Sequence, residues 1–463
     1  MKPLPRPLLS YYGDDFTGST DAMEVLSSNG VATLLFLRTP SADEIALAKQ
    51  TYPAIGIAGI SRSKDVAWLD QHLPDVFTRL KQADAAICHY KVCSTFDSSP
   101  TIGNIGRAIE IGRGVFGSHT ATPLVVGTPA LRRYTLFGHL FASVGNMHHR
   151  IDRHPTMSRH PVTPMDEADL RLHLARQTAL RVGLFDAITQ QRPDAAAQLA
   201  AELQANDIVL FDVLDDASLA RVGKQVWALA EARANDGASS LFCAGSSGLE
   251  YALVSHWRTA AMDDVAPTVW SAGPVRQIAV VSGSCSPVTA AQIEQAETDG
   301  FHCLRADPIR LLEQASRTGE LQRLGSAALR ALQDGASVVI YTARGPGDAA
   351  LEQVNTYIKT RQLDYADAMA GVGDALGILL RELIADGGLQ RVVVAGGDTS
   401  GQVMQALNLS ALKMRAMLAP GAPLCAGFSA IDHAPTIEIA LKGGQVGNRR
   451  YFSSVLAGRL LVD

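Results

Sequence analysis

The stretch Tyr12-Gly13-Asp14-Asp15-Phe16-Thr17-Gly18-Ser19-Thr20-Asp21 decides the fold of the first part of this chain. An apolar run, Pro7-Leu8-Leu9, precedes it, and the patterns of 21–28 and 31–37 predict a helix followed by a strand. This order is that of a strand–loop–helix–strand unit. Such a unit places its polar loop at the carboxyl end of a strand, where open α/β sheets bind ligands.

The two adjacent carboxylates of this loop, Asp14 and Asp15, allow two interpretations. A carboxylate in such a loop accepts a proton from a hydroxyl or holds Mg²⁺, and the neighbouring glycines let the backbone approach a ligand. Alternatively, both residues only cap the helix that begins near Thr17. Two carboxylates are more than capping requires, so we predict that Asp14 or Asp15 is a general base.

The composition is that of a globular protein of two domains. The chain has 463 residues, more than one ordinary core holds, with 47% hydrophobic and 19% charged residues. The net charge of −5 implies no basic face and therefore predicts no nucleic-acid partner. An anionic substrate would need cations close to its binding site.

No segment resembles a secretory signal or a membrane-spanning helix, so we expect a cytoplasmic protein without membrane contact. The six cysteines are scattered without a C-x-x-C pair, which predicts small buried residues in a reducing compartment. The histidines at 148, 149, 154 and 160 are crossed by prolines and fit no helix-borne ligand pair. We predict no metal site on the protein and expect these histidines in a surface loop or in contact with the substrate.

Short apolar runs alternate with helical patterns, which predicts an α/β fold with a largely parallel sheet and flanking helices in each of two domains. The stretch 145–165 breaks this rhythm and is expected to be a long loop with little regular structure. We predict an N-terminal domain over 6–257, a linker over 258–274 and a C-terminal domain over 275–463. The candidate strands are 33–37, 54–58, 85–90, 123–126, 208–211, 240–243, 277–281, 337–341 and 391–395. The candidate helices of the second half are 289–298, 321–333, 366–385 and 401–407.

Three loops of the second half share one composition. The loops 282–287, 396–401 and 442–448 follow apolar strand patterns and are rich in glycine and hydroxyl-bearing residues. Free backbone N–H groups at a helix N-terminus bind phosphate oxygens, and Ser or Thr hydroxyls add donors. Together the loops predict a nucleotide site, although turn chemistry alone explains any one of them. The chain has no G-x-x-x-x-G-K-[ST] motif, so it is not a P-loop enzyme.

Two cations of the first half follow candidate strands. Arg62 follows the strand 54–58, and Lys91 follows the strand 85–90. A guanidinium can hold a carboxylate through two parallel N–H bonds, and an ammonium offers a compact charge. The loop 91–100 is dense in hydroxyls and acids, which suits a polyhydroxy acid, although the ordinary composition of a solvated loop explains it as well.

Seven segments, in order over nearly the whole chain, resemble the four-carbon acid sugar kinase family, which includes 3-oxo-tetronate and threonate kinases. They are GDDFTGSTD from residue 13, SRS from 61, K-x-x-S-T from 91 with GN at 103, GSSGL from 245, SGSCSPVT from 282, GGDTSG from 396 and KGGQVGN from 442. The first segment alone is short, but the combination is specific.

The resemblance implies an acid-sugar domain, an ATP domain and an active site in the cleft between them. There the γ-phosphoryl of ATP, with Mg²⁺, would pass to a terminal hydroxyl lying beside Asp14 and Asp15. The residues that hold the acid would be Arg62, Lys91, Ser94 and Thr95. The residues that hold ATP would be Ser284, Gly396, Gly397, Asp398, Thr399, Ser400, Gly443 and Gly444.

One departure from the family bears on the substrate. Most members read K-x-D-S-T-L-R-G-N in the substrate loop, whereas here Cys93 replaces the Asp, residues 98–102 are inserted before Gly103, and the Arg is missing or displaced. The loss of a carboxylate and a bidentate cation changes which acid is preferred. The departure therefore argues against plain 3-oxo-tetronate. The substrate is expected to be a small sugar acid of the 3-oxo-tetronate or threonate type, and a branched relative such as 3-oxo-isoapionate is one candidate.

Two other classes stay open from the sequence. A catalytically silent sugar-acid or nucleotide sensor would keep the fold, but retention of both aspartates and all three loops argues against it. A nicotinamide-dependent dehydrogenase is disfavoured, because no G-x-G-x-x-G follows a strand. The expected partner is a small-molecule sugar acid. The sequence does not reveal the oligomeric state, and a homodimer is one candidate.

Overall fold

The computed structural model describes residues 6–160, 162–237, 240–260, 271–431 and 433–462, and for residues 366, 398 and 399 the backbone alone. The chain forms two compact units, Met1–Thr268 and Val269–Asp463. Of the predicted linker 258–274, residues 261–270 lie outside the described part of the chain.

The first unit contains the following elements. Its strands are β1 (Leu9–Gly13), β2 (Thr33–Phe36), β3 (Ala54–Ala58), β4 (Ile87–Lys91), β5 (Thr122–Val125), β6 (Arg133–Leu136), β7 (His139–Val144), β8 (Met147–Arg150), β9 (Val182–Phe185), β10 (Ile208–Phe211) and β11 (Leu241–Gly245). Its α-helices are α1 (Phe16–Ser28), α2 (Ala42–Thr51), α3 (Val66–Gln82), α4 (Ile105–Phe116), α5 (Leu170–Ala175), α6 (Ala195–Ala205), α7 (Asp216–Asn235) and α8 (Gly248–Thr259).

The second unit has the same alternation. Its strands are β12 (Ala279–Ser282), β13 (His302–Arg305), β14 (Val338–Tyr341), β15 (Arg391–Ala395), β16 (Ala411–Ala416), β17 (Leu424–Phe428) and β18 (Ile437–Lys442). Its α-helices are α9 (Pro287–Thr298), α10 (Pro308–Leu312), α11 (Gln314–Gln333), α12 (Ala349–Arg361), α13 (Tyr365–Gly387), α14 (Gly397–Ala406) and α15 (Tyr451–Ala457).

The main sheet of the first unit has the strand order β2-β3-β1-β4-β11-β5-β10-β9, and its neighbouring strands are parallel. Most of these strands are buried along their whole length, as expected when helices cover both faces of a parallel sheet. The chain runs from β1 to β2 and β3 on one side and then crosses to β4 on the other side. The boundary between β1 and β4 is therefore a topological switch point, where ligands bind in open α/β sheets.

The sheet of the second unit has the order β13-β14-β12-β15-β18-β17-β16. The strands from β13 to β18 in this order are parallel, whereas β17 pairs antiparallel with both β18 and β16. The switch point here lies between β12 and β15. The predicted fold class, α/β with largely parallel sheets and flanking helices in two domains, is confirmed.

The stretch 145–165, expected to be a long loop with little regular structure, contains the strand β8, so that prediction is wrong in part. Strands β6, β7 and β8 form a separate antiparallel sheet, and Val144 pairs with Met147 around a turn in which Gly145 has a φ of 54°. The sequence signal was weak because β8 is short, and its residues, Met-His-His-Arg, lack the β-branched side chains that favour strands.

Local capping chemistry explains where several helices begin. Ser41 and Glu44 form a capping box at α2, and the carboxylate of Asp65 caps α3. The helix predicted over 401–407 begins earlier, at Gly397, so most of the predicted loop 396–401 is the first turn of α14. None of the described helices combines the length and the apolar character needed to cross a membrane.

The cysteines are free thiols, but their burial differs from the prediction. Cys88, Cys243 and Cys425 are buried as expected, whereas Cys285 is exposed. Cys93 and Cys303 are partly buried. Cys285 is exposed because it lies in the loop after β12 and not in a strand.

Candidate active site

The first cluster of polar residues lies at the carboxyl ends of the adjacent strands β3, β1 and β4. The register places Gly13 beside Ala58 on one side and Lys91 on the other. The backbone N–H of Asp14 donates to the Lys91 carbonyl at 2.9 Å, and that of Arg62 donates to the Asp14 carbonyl at 3.1 Å. Three segments that are distant in sequence are thus joined at the switch point of the sheet.

Arg62 is paired with both predicted catalytic aspartates. Its Nε and Nη2 donate to the two oxygens of Asp14 at 3.0 and 2.7 Å, and its Nη1 donates to Oδ2 of Asp15 at 2.8 Å. Three N–H groups of the guanidinium are therefore engaged by protein carboxylates. That Arg62 holds the carboxylate of a substrate stays a prediction, since the structure shows it holding Asp14 and Asp15.

The two aspartates have different surroundings and opposite pKa shifts. Asp14 is 3% exposed, and its burial raises the pKa of its carboxyl despite the neighbouring Arg62. Burial also acts to raise the pKa of Asp15, but Arg62 and Lys91 outweigh it and hold that pKa below its usual value. Asp15 does cap α1, because its Oδ1 accepts from the Gly18 N–H at 2.8 Å. Asp14 is thus the stronger base of the two.

Lys91 is buried beside the first turns of α1, with 3% of its surface exposed. Its Nζ lies 3.7 Å from Oδ2 of Asp21. A Cβ placed on Gly18 would lie 2.3 Å from both Nζ of Lys91 and Oδ1 of Asp15. Glycine is therefore required at position 18, since any side chain would separate the ammonium from the carboxylate that caps the helix.

The loop after β4 is turned by its own side chains. Oγ1 of Thr95 lies 2.5 Å from Oδ1 of Asp97 and 2.9 Å from Sγ of Cys93, and Phe96 between them has a φ of 56°. Ser94 is half-buried, and its hydroxyl bonds to no described residue. Burial raises the pKa of the Cys93 thiol, so this position carries a neutral group.

The inserted segment 98–102 is anchored by residues that the sequence analysis missed. Oγ of Ser98 lies 2.8 Å from Nε2 of His173, and Nε2 of Gln177 donates to the same Oγ at 2.8 Å. Burial lowers the pKa of His173 to about 4, so its ring is neutral. No local pattern signals this contact, because the two side chains are separated by 75 positions.

A buried pair of side chains, His89 on β4 and Glu250 on α8, was also not predicted from the sequence. His89 and Glu250 are both 0% exposed, and Nδ1 of His89 lies 2.7 Å from Oε1 of Glu250. Nε2 of the same ring lies 3.2 Å from the carbonyl of Gly245, the last residue of β11. The pair therefore ties β4 to the GSSGL segment, within which Oγ of Ser246 lies 2.7 Å from Oγ1 of Thr128.

The four histidines of the region 148–160 do not share one site. His148 and His149 lie on β8, while His154 and His160 end short 3₁₀ turns, and His154 is the one that is buried. In the part of the chain that the structure describes, no group of three or more His, Cys, Asp or Glu side chains could hold a metal ion.

The predicted nucleotide loops lie at the ends of the adjacent strands β12, β15 and β18. The register aligns Ser282 with Ala395, and Ala395 with Lys442. The loops also touch each other, because a Cβ placed on Gly444 would lie 2.8 Å from Oγ of Ser284. The structure thus brings Ser284, Gly443 and Gly444 together with the start of α14.

No described side chain caps the start of α14. Gly396 is its N-cap, with a φ of 129°, and the hydroxyl of Ser400 turns back to the Gly396 carbonyl at 2.6 Å. Gly397 is exposed, and a Cβ placed on it would meet no atom within 4 Å. The backbone of Asp398 and Thr399 lies in the first turn, while their side chains lie outside the described part. Uncapped N–H groups at a helix N-terminus suit an anion.

Lys442 belongs to the segment KGGQVGN, but the sequence assigned it no role. In the structure its side chain links α9 to the glycine turn that follows β18. It is 0% exposed, and its Nζ donates to Oγ1 of Thr289 at 2.9 Å, which in turn donates to the Gly444 carbonyl at 3.0 Å. Burial lowers the pKa of Lys442 to about 7. In the sequence, the only indication of a role for Lys442 is its position directly before Gly443 and Gly444.

Residues 9–253 match the model of a sugar-binding N-terminal domain, and residues 279–452 match that of a nucleotide-binding C-terminal domain. A 3-oxo-isoapionate kinase from Paraburkholderia graminis is 48% identical over 98% of this chain and 95% of that relative. The chain belongs to the four-carbon acid sugar kinase family. A 3-oxo-tetronate kinase of the same family, from Pseudomonas fluorescens, is 32% identical over 98% of this chain and 97% of that relative.

Solved structures share the family fold. A Salmonella typhimurium LT2 protein superposes with a TM-score of 0.75 at 25% identity, covering 96% of this chain and 98% of that one. A Haemophilus influenzae protein superposes with a TM-score of 0.70 at 23% identity, with the same coverage of 96% and 98%. The second likeness shows the fold alone.

Family membership decides between the classes that the sequence left open. The two relatives are kinases, and each matches this chain over nearly its whole length. This favours a sugar-acid kinase over a silent sensor of the same fold. The nucleotide-binding domain together with these kinases implies the use of ATP. A dehydrogenase finds no support among these relatives.

Proposed function

We propose that this protein transfers the γ-phosphoryl group of ATP to a terminal hydroxyl of a branched 3-oxo sugar acid, of which 3-oxo-isoapionate is the expected example. The observation that carries the proposal is the Asp14–Asp15–Arg62 cluster at the switch point of the first sheet, two carboxylates held by one guanidinium. The identity of 48% to a 3-oxo-isoapionate kinase supports the choice of acid.

In this proposal Asp14 accepts the proton of the attacking hydroxyl. Phosphoryl transfer depends on an oriented nucleophile whose proton is removed as the transition state forms. A base works best when its pKa approaches the working pH, and burial moves the pKa of Asp14 in that direction. Asp15, with its lowered pKa, caps α1 and keeps Arg62 and Lys91 in place.

The phosphates of ATP are assigned to the loops of the second unit. The free N–H groups at the start of α14, with Ser284 and the Gly443–Gly444 turn, supply the donors that phosphate oxygens need. Mg²⁺, when bound with ATP, neutralises charge on the phosphate oxygens and keeps several of its waters, so it needs few protein ligands.

The substrate loop supports a choice of acid different from that of the 3-oxo-tetronate kinases. Cys93 presents a neutral thiol beside Arg62, where a carboxylate would compete for the guanidinium. Ser98, the first of the inserted residues 98–102, is held by His173 and Gln177, which anchors the start of the insertion. A neutral, reshaped wall favours a substrate with a different branching pattern.

The experiment that tests the proposal is a substrate panel. The protein is incubated with ATP and Mg²⁺ and with 3-oxo-isoapionate, 3-oxo-tetronate, threonate or no acid, and both ADP release and the phosphorylated product are measured. We expect the highest kcat/KM on 3-oxo-isoapionate and a product heavier by one phosphoryl group. Calorimetric binding of an acid without turnover would instead establish the sensor, and equal kcat/KM on all acids would overturn the branched substrate.

A further inference from the structure

Arg133 is a cation that the sequence analysis did not single out, and the fold fixes it at the same edge of the sheet as Asp14. After β5 the chain makes a short turn over Pro129–Leu131 and enters β6 at Arg133. The Thr128 N–H donates to the Arg133 carbonyl at 2.8 Å, and the Arg133 N–H donates to the Thr128 carbonyl at 3.1 Å. Thr128 in turn contacts Ser246, which follows β11, the neighbour of β4.

Among the described residues, the guanidinium of Arg133 has no acidic partner. Its one hydrogen bond to a described residue runs from Nη1 to the Leu131 carbonyl at 2.5 Å. Its Nε is buried and finds no acceptor in the described part of the chain, and no described carboxylate lies within 4.0 Å of it. A partly buried cation without a counter-charge is costly to the folded protein, and an anionic ligand relieves that cost.

The surroundings of Arg133 place it near the substrate loop. Cys93 is an electrostatic neighbour of both Arg62 and Arg133, so the thiol lies within range of each guanidinium. His154 is buried, and the neighbouring charge of Arg133 helps burial to lower the pKa of its ring. Its Nδ1 accepts from the Thr156 and Met157 N–H groups, each at 3.2 Å, which places the proton of the neutral ring on Nε2.

Arg62 is less available for an anion than Arg133. Three N–H groups of Arg62 donate to Asp14 and Asp15, whose two negative charges also oppose an approaching carboxylate. Arg133 has one N–H group engaged, by a neutral carbonyl. Of these two guanidinium groups beside Cys93, Arg133 therefore offers the unneutralised charge.

We propose that Arg133 binds the carboxylate of the sugar acid and so determines that the substrate is an acid. This inference rests on the proposed function and adds the residue that recognises the anionic end of its substrate. Arg62 then serves as the positioning residue of the aspartate pair. Because a guanidinium pairs with a carboxylate through two parallel N–H bonds, it also fixes the direction in which the rest of the acid extends.

The test compares Arg133→Gln with Arg132→Gln, a matched change at the neighbouring exposed arginine. Turnover is measured for 3-oxo-isoapionate and for the uncharged carboxamide of the same sugar. We expect Arg133→Gln to raise KM for the acid by roughly 10–100-fold, the usual worth of a charge-assisted hydrogen bond, without changing KM for ATP. It should also abolish the preference for acid over amide. Arg133→Lys should recover part of the acid affinity.

Two other results would overturn the role proposed for Arg133. An Arg133→Gln enzyme whose KM for the acid and whose acid-to-amide preference equal those of Arg132→Gln would overturn the inference. A fall in kcat alone would show a structural role for Arg133 and would also overturn it. If the wild-type protein turns over no acid, the proposed function fails, and calorimetry then decides on Arg133. Acid binding that is lost in Arg133→Gln, kept in Arg132→Gln and partly recovered in Arg133→Lys supports the inference. Acid binding retained in Arg133→Gln, or absent from the wild type, rejects it.

Discussion

Arg62 donates to both oxygens of Asp14, from Nε at 3.0 Å and from Nη2 at 2.7 Å, across a sequence separation of 48 residues. A bidentate pair of this kind fixes the plane of the carboxylate as well as its position. The two oxygens of Asp14 keep lone pairs that face away from Arg62. The bidentate pair therefore orients the Asp14 carboxylate to accept a further hydrogen bond.

Replacing Asp14 by Asn should lower kcat by roughly 10²–10⁴, the usual share of general-base catalysis, with little change in ATP affinity. Replacing Asp15 by Asn is the matched control. Asn is as good an N-cap as Asp, so α1 should keep its start, and a smaller loss of kcat is expected. Steady-state kinetics of both variants check this, and near wild-type turnover by Asp14→Asn would reject Asp14 as the base.

The pH dependence of kcat/KM should carry the signature of Asp14. The rate requires the carboxylate form, so kcat/KM falls as the pH falls through the pKa of Asp14, which burial raises above its usual value. Arg62 acts to lower that pKa, so Arg62→Ala should move the acidic limb to higher pH, and Arg62→Lys should move it less. Profiles of the three enzymes test this. A limb at the same pH in all of them would show that Arg62 does not tune the base.

Gly397→Val should abolish ATP binding while binding of the sugar acid survives. A Cβ at position 397 points into open space at the uncapped start of α14, where phosphate would have to approach the backbone. Gly319→Val is the control, because Gly319 is also helical and its added Cβ would likewise meet no atom within 4 Å. Calorimetry with ATP and with the acid separates the two effects, and unchanged ATP affinity in Gly397→Val would place the nucleotide elsewhere.

Lys442 should make stability depend on pH in a defined direction. Burial lowers its pKa in the folded protein to about 7, whereas an unfolded lysine has a pKa of about 10.4. Between these values the unfolded chain binds a proton that the folded chain does not. The free energy of unfolding should therefore rise with pH in this window, by at most about 1.4 kcal/mol per pH unit. Below about pH 7 the lysine is protonated in both states, so this pH dependence ends and the cost of burying the charge is fully present.

Lys442→Met removes this titration without emptying the site. We expect its free energy of unfolding to exceed that of the wild type most clearly at about pH 6 and the difference to shrink towards about pH 9. Urea unfolding in a reducing buffer at several pH values measures the free energy of unfolding of both proteins. Subtracting one from the other removes the contributions of the other groups that titrate in this range, because both proteins share them. A difference that does not vary with pH would mean that Lys442 keeps its ordinary pKa in the folded protein.

Cys93→Asp should shift the preference between acids. An aspartate at position 93 would place a carboxylate within range of Arg62 and Arg133, where a neutral thiol now lies. We expect kcat/KM on 3-oxo-isoapionate to fall by about tenfold or more relative to 3-oxo-tetronate, since one altered polar contact commonly changes discrimination by that factor. Cys93→Ser, which stays neutral, is the control. An unchanged ratio in Cys93→Asp would remove this position from substrate choice.

The fold class was determined by the sequence alone, because apolar alternation and the glycine and hydroxyl content of loops are local properties. The strands 54–58, 208–211 and 391–395 were predicted with their observed bounds, since each is a short, mostly apolar run bounded by polar or turn-forming residues. Strand β8 was missed because its histidines and arginine give no such local signal.

Only the tertiary structure decided which polar side chains meet. The order of strands in the sheet brings Asp14, Arg62 and Lys91 together and gives Arg133 no acidic partner in the part of the chain that the structure describes. That order depends on contacts between residues far apart in the chain. A sequence shows that Arg62 carries a charge, but not that Asp14 and Asp15 neutralise it. Periodicity is set by neighbouring residues, whereas charge pairing is set by distance in space, and this difference separates what could be predicted from what could not.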